Sequence, residues 1–295
     1  MNKLIAIVGP NASGKSGLGV ELALRFGGEI VSADSRQVFR GLDLGSGKIR
    51  ESEMKGVRHH LLDVAEPGAF FSMADFQRLA YAAIDGICAR GKLAFLVGGT
   101  GLYVDSVTKG YLLSDVAPDL SYRDELEKKT TPELYEMLLR TVPDIQIDAK
   151  NRNRVMRVLE KLHDGDSVRP SAEARYDVLT LGVYWDREKL RQRIDERLDR
   201  RTAQGMIDEV RRLRQAGVCD VFLLKLGLEY RYITEYLRGE WESEEKMLSE
   251  LGLAIKRFAK RQMTWFKRDQ SIVWLDMEDE PLERAASRIE DFLKG

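Results

Sequence analysis

The sequence is poor in several things that would have classified it at once. Its 295 residues include only two cysteines, Cys88 and Cys219. Two thiols cannot build a disulfide framework or a four-ligand zinc site, so the cytoplasm is the expected compartment. No stretch comes near the roughly eighteen consecutive apolar residues of a membrane-spanning helix, and no membrane partner is expected. The chain enters an apolar run at Lys3 with nothing that reads as a signal peptide. There is no internal repeat and no low-complexity tract. Neither sign of charge dominates: 47 basic residues face 48 acidic ones, a net charge of −1, which excludes a protein coated in positive charge.

What is present is 43% hydrophobic and 32% charged, enough apolar material for one large or two smaller globular domains. The charge is also segregated. Lys150, Arg152, Arg154 and Arg157 form one acid-free block, and Lys256, Arg257, Lys260, Arg261, Lys267 and Arg268 form another. A single block of this kind is usually a solvated helix face. Two of them beside a phosphate-binding loop point towards a nucleic acid.

That loop opens the chain. Lys3 to Val8 is short and β-branched, hence a buried strand. Gly9-Pro10-Asn11-Ala12-Ser13-Gly14-Lys15-Ser16 follows and matches G-x-x-x-x-G-K-S/T, with a helical pattern behind it up to Gly27-Gly28. Glycines let the backbone wrap an anion, and the helix N-terminus favours phosphate oxygens. Lys15 adds a point charge, and the Ser16 hydroxyl is the expected ligand of a Mg2+ ion.

Glu29 to Ala33 reads as a second strand that delivers Asp34 to its carboxyl end, where open α/β sheets bind ligands. Arg36 to Arg58 is glycine-rich and reads as a substrate-contacting loop. His60 to Val64 reads as a strand, and Ser72 caps a helix running to Arg90-Gly91. Leu93 to Val97 is a strand that enters a second glycine corner, Gly98-Gly99-Thr100-Gly101. It ends without the aspartate that holds magnesium in ATP-hydrolysing P-loop proteins, leaving Asp34 or Asp63 for that role. From Leu113 to Pro170 the strands vanish and short helices take over. Val178 to Tyr184 returns as a strand. Asp186 caps one long arginine-rich helix reaching Leu213, most of whose arginines read as surface pairs. Glu244 to Phe266, Ile272 to Leu275 and Pro281 to Leu293 read as helix, strand and helix. The expected fold is α/β: a P-loop NTPase-like parallel sheet flanked by helices (1–112 and 176–295), with a small all-helical insertion (113–175).

Together these segments resemble the tRNA dimethylallyltransferase family. Residues 9–16 look like that family's GPTASGKT, and Asp34-Ser35-Arg36-Gln37-Val38-Phe39-Arg40-Gly41-Leu42-Asp43 like D-S-x-Q-I/V-Y-R/K-G-M-D. Asp75-Phe76 matches A-x-D-F, and Val97 to Tyr103 matches V-G-G-T-x-L-Y. Arg154 to Glu160 resembles R-x-x-R-A-L-E. Arg193 to Arg197, with Gly205 and Glu209-Val210, resembles R-I-x-x-R…G-F/L-x-x-E-V. Lys260 to Phe266 is similar to K-R-Q-x-T-W-F/L. Three departures stand out. Gly45-Ser46-Gly47-Lys48-Ile49 lacks the proline of G-T-A-K-P. Phe39 replaces a tyrosine. Leu226-Gly227-Leu228-Glu229 carries an acid where I-G-Y-K/R has a base.

The resemblance implies transfer of a dimethylallyl group from dimethylallyl diphosphate to N6 of the adenosine 3′ of the anticodon, in a cytoplasmic, monomeric enzyme using Mg2+. It implies a diphosphate site at Gly9 to Ser16, with Asp34, Thr100 and Arg197 catalytic. It implies tRNA contacts at Ser35, Arg36, Gln37, Arg123, Asn153, Arg154, Arg157 and Arg261, in the anticodon arm. Tyr103 and Phe39 are candidate aromatic contacts, with core packing as the alternative. Three rival readings remain: a small-molecule or nucleotide kinase, for which the loop would bind ATP; an isopentenyltransferase of free adenylates; and a non-catalytic RNA-binding protein.

Overall fold

The computed structural model describes residues 1–113, 119–165 and 172–295. The chain divides into two compact units, Met1–Gly110 with Ala174–Gly295, and Tyr111–Glu173.

The first unit is built on six parallel strands: β1 (Lys3–Val8), β2 (Glu29–Ser32), β3 (His59–His60), β4 (Ala94–Gly98), β5 (Asp177–Tyr184) and β6 (Val273–Asp276). Their order is β3-β2-β4-β1-β5-β6. The central strands are continuously apolar because helices cover both faces of a parallel sheet. Alternate residues therefore serve two cores. Leu4, Ala6, Val31 and Leu96 face Phe76, Ile84 and Tyr103, while Ile5, Ile7, Ile30 and Phe95 face Leu18, Leu22 and Ile289.

The first half supplies α1 (Lys15–Arg25), α2 (Glu51–Met54), α3 (Met73–Ala89) and α4 (Gly101–Thr108). Ser72 caps α3 through a capping box with Asp75. The second unit holds α5 (Leu120–Glu127), α6 (Thr131–Thr141) and α7 (Arg152–His163) around Leu126, Leu134, Leu138, Val155, Met156 and Leu159. The expected joint at Pro118 and the insertion's end at Pro170 lie outside the described residues. The chain then returns to the first unit with α8 (Arg187–Ala203), α9 (Met206–Gln215), α10 (Asp220–Leu226), α11 (Leu228–Leu237), α12 (Glu244–Phe266) and α13 (Pro281–Lys294).

Three sequence expectations need correction. The long helix expected from Asp186 to Leu213 is two helices, broken at Gly205, whose φ of +93° is left-handed and interrupts the helical ladder. The strand expected at His60 to Val64 stops at His60. Leu61 and Asp63 turn left-handed, at φ +64° and +55°, and Val64 donates its N–H to the Val38 carbonyl instead. The loop from Arg36 to Arg58 is not all surface. Val38, Phe39 and Leu42 are buried in a third core with Leu198, Val210, Leu223, Tyr230 and Leu251.

Candidate active site

The glycine loop joins β1 to α1 in the expected context, braced by one bond of its own and by two side chains from after β5. The Lys15 ammonium donates to the Pro10 carbonyl at 3.1 Å. The Trp185 indole, after β5, donates to the Ser13 carbonyl at 2.8 Å. Arg193 of α8 donates to the Ala12 carbonyl at 3.1 Å while its guanidinium lies 4.3 Å over the Trp185 ring. Ala12 itself sits at φ +62°, a costly conformation for a residue with a Cβ. The Ser13 hydroxyl is buried and meets no partner among the described residues.

The second glycine corner, between β4 and α4, stands beside the first. Gln262 of α12 spans both: its amide donates to the Gly99 carbonyl at 2.9 Å, and its oxygen accepts the Asn11 N–H at 2.9 Å. Thr100 begins α4 without capping it. Its hydroxyl instead accepts the Ser35 N–H at 3.1 Å. Next to Ser35, Asp34 Oδ1 accepts the Arg36 N–H at 2.9 Å, with the Arg36 Nε 3.8 Å away. Asp34 Oδ2 accepts nothing among the described residues. Asp34 lines a cleft with Lys15, Ser16, Gln37, Gly47, Arg197, Arg201 and Glu229.

Arg193, Arg197 and Arg201 recur every fourth residue and so share one face of α8. Arg197 donates to the Gly47 carbonyl at 3.0 Å, and Arg201 donates to Glu229 at 3.1 Å and to the carbonyls of Leu44 and Gly45. Glu229 also accepts from Arg36 at 3.2 Å. The cleft thus gathers Lys15, Arg197 and Arg201 against two carboxylates, Asp34 and Glu229, with Arg36 paired to both from the adjoining pocket. Two of the cations are shifted by this setting. Burial, then Arg197, pull the Lys15 ammonium down to about 8. Burial and neighbouring Arg201 pull Arg197 down to about 10. Burial disfavours the charged forms of Lys15 and Arg197, and Asp34 and Glu229 offset it only in part, whereas the same two carboxylates raise Arg36.

Among the described residues no cluster of three His, Cys, Asp or Glu side chains forms a metal site. Mg2+ does not need one, because it takes one or two protein oxygens and completes its shell with phosphate oxygens and water. The Ser16 hydroxyl, exposed and lining the cleft, fits that donor set.

Of the remaining expected site residues, Gln37 accepts from the Ser32 hydroxyl at 3.2 Å and donates to the Gly47 carbonyl. Ser35 lies in an adjoining pocket with Thr100, Leu228, Phe258, Arg261 and Trp265. Arg261 is exposed there, 5.4 Å over the Phe258 ring. Phe39 and Tyr103 take the packing alternative: Phe39 meets Phe222 edge-on, and Tyr103 stacks on Phe76. In the second unit Asn153, Arg154 and Arg157 are exposed. Arg157 and Arg123 pair with the same buried Glu160, at 3.1 and 3.4 Å. Arg152, counted in the same basic block, instead donates to the carbonyls of Leu126, Glu127 and Lys129 and caps α5.

Sequence reading missed Gln262, Arg201 and Glu229. The fourfold spacing of the α8 arginines was a usable signal for Arg201. For Glu229, the acid standing in a basic motif position marked the place but not the partner.

Fold and site together define a P-loop-type α/β protein whose glycine loop faces an arginine-bearing helix across a cleft. The profile of the IPP transferase family matches residues 37–269, and the chain belongs to that family. It is 39% identical to a tRNA dimethylallyltransferase of Anoxybacillus flavithermus, over 99% of this chain and 96% of that one. It is 43% identical to tRNA dimethylallyltransferase 2 of Citrifermentans bemidjiense, over 96% and 93%. The tRNA isopentenylpyrophosphate transferase of Bacillus halodurans, solved by crystallography, is 38% identical and aligns with a TM-score of 0.76, covering 100% of this chain and 96% of that one. A eukaryotic dimethylallyltransferase described as acting on tRNA shares the fold, with a TM-score of 0.85 at 24% identity over 100% of this chain and 80% of that one. The chain is accordingly an enzyme of the transferase class.

Proposed function

We propose that the chain transfers the dimethylallyl group of dimethylallyl diphosphate to N6 of the adenosine 3′ of the anticodon in tRNA, releasing diphosphate. The observation that carries this reading is the juxtaposition of a cation-rich phosphate cradle with a carboxylate, Asp34, that keeps one oxygen unengaged. The Gly9 to Ser16 loop, Lys15 and Arg197 bind the diphosphate, and their charge favours the state in which it departs. Mg2+ held at Ser16 would add charge neutralisation on the same oxygens. Asp34 Oδ2 accepts the proton of the attacking amino group as general base. Thr100 steadies the Asp34-Ser35 turn. The pocket beside Ser35, walled by Phe258 and Trp265, is where a base lifted from its stack enters. Arg261 and the exposed Arg154 and Arg157 contact backbone phosphates of the anticodon arm.

The kinase reading is less well supported, since β4 ends in Val97-Gly98 rather than in a magnesium-binding aspartate. The deciding experiment incubates the protein with dimethylallyl diphosphate, Mg2+ and unmodified tRNA. Parallel reactions offer AMP, or ATP with small-molecule acceptors, and nucleosides are read by mass spectrometry. Isopentenyladenosine in tRNA alone is expected. Prenylated AMP, or phosphate released from ATP without prenylation, would refute the reading.

A further inference from the structure

Glu229 is nearly fully buried at the start of α11, and each of its oxygens has a different arginine: Oε2 takes Arg36 Nη1 at 3.2 Å and Oε1 takes Arg201 Nη1 at 3.1 Å. Gly227, two residues earlier, makes room for this. A Cβ on Gly227 would lie 2.7 Å from the Arg36 Cδ and 3.0 Å from its Nη1, so only glycine lets the guanidinium pack against the start of α11. Arg36 therefore stands between two carboxylates. Its Nη1 is spent on Glu229, while its Nε lies 3.8 Å from Asp34 Oδ1, beyond hydrogen-bonding distance. A buried guanidinium must find an anion. With Glu229 gone, the nearest one is Asp34.

We propose that Glu229 is a positioning residue for the transfer reaction: by occupying Arg36, it keeps that guanidinium from closing on Asp34, and so leaves the base its free oxygen. Burial opposes charge on Glu229, yet Arg201 and Arg36 hold it ionised, its carboxyl below the usual range. The other charged and titratable groups facing this cluster are Lys15 of α1, Tyr103 of α4, Arg197 of α8, Glu209 of α9 and Tyr230 of α11. None is both anionic and bonded to Arg36, so none replaces Glu229. The same arrangement accounts for an acid at a position where the resembled pattern carries a base.

The inference rests on the reading of Asp34 as the base, and one measurement addresses it without turnover. The full-length protein is labelled with 13C at aspartate carboxyls and titrated by NMR, with Asp34→Asn assigning the resonance. In Glu229→Gln the Asp34 midpoint should fall by about one pH unit. In the transfer assay the same variant should lose roughly tenfold or more in kcat, with the acid limb of its pH profile shifted down and KM for the prenyl donor changed less than kcat. Glu229→Asp, which keeps the charge, should recover most of both. Melting temperatures of the two variants separate misfolding from mispositioning. An unmoved Asp34 midpoint in folded Glu229→Gln overturns the inference. A shifted midpoint in a protein that prenylates nothing upholds the network and overturns the proposed function.

Discussion

The Thr100 hydroxyl accepts the backbone N–H of Ser35 at 3.1 Å, tying the second glycine corner to the turn that carries Asp34. The bond is directional: threonine supplies the acceptor, and its loss strands a half-buried donor beside Asp34. Thr100→Val keeps the shape and removes the acceptor. It should lower kcat by about tenfold, equivalent to about 1.4 kcal/mol, with little change in KM for the prenyl donor. Thr100→Ser should stay within about threefold of the parent. Steady-state kinetics of the pair check this, and equal losses in both variants would remove the hydroxyl from the account.

Gln262 is buried and bonded to both glycine corners at once, through Asn11 and Gly99. Gln262→Leu deletes both bonds while keeping most of the volume, and leaves two backbone groups unsatisfied. A cost of about 2 kcal/mol is expected, a fall of several degrees in melting temperature. Pyrophosphate affinity should fall with it, because the loop loses its brace. Scanning calorimetry reads the melting temperature, and titration calorimetry on the folded protein below that transition reads the affinity.

Lys15 gives the site a pH dependence of definite sign. Burial, then the neighbouring Arg197, hold its ammonium at about 8. Below that value it is charged and, on the proposed reading, attracts diphosphate; above it the charge is lost. Measured relative to Lys15→Met, which cancels the titration of pyrophosphate itself, the affinity advantage should be constant up to about pH 7 and fall towards tenfold per unit above pH 8, with extra proton uptake on binding. Titration calorimetry in buffers of different ionisation enthalpy reads both quantities. The stability sign is opposite. With the folded value below the unfolded one, near 10.5, the unfolded chain holds the extra proton between these limits, so stability gains from this group as pH rises from 8. Lys15→Met should bind pyrophosphate weakly at every pH and should not lower the melting temperature.

Arg152 and Arg154 are two residues apart and should behave differently towards RNA. The Arg152 guanidinium is spent on the last two carbonyls of α5 and on that of Lys129 just beyond it. The Arg154 side chain is exposed and has no ion-pair partner among the described residues. Arg154→Ala should weaken tRNA binding and reduce the slope of log affinity against log salt by about one. Arg152→Ala should leave that slope unchanged and weaken hydrogen-exchange protection at Leu126 to Lys129 by about fivefold, a bond's worth of about 1 kcal/mol. Equal salt slopes in the two variants would contradict the division.

Much of the molecule was determined by local sequence. Six apolar runs, two glycine corners and the Ser72 cap specify strand, loop and helix through interactions within a few residues, so β1, β2, β4 and β5, the phosphate loop and α3 are legible without a structure. The same locality placed Asp34 at a strand end beside Lys15. What depended on distant chain was decided by tertiary packing. Gly205 broke an apparently continuous helix because helical periodicity continues across a left-handed residue unaltered in sequence. Arg193, Arg197 and Arg201 resembled solvated surface charges until α8 was laid against the cleft. The partners of Glu229 are Arg201, 28 positions away, and Arg36, 193 away. Charge pattern alone cannot pair groups so far apart, because burial, which makes their pairing obligatory, exists only once the chain has folded.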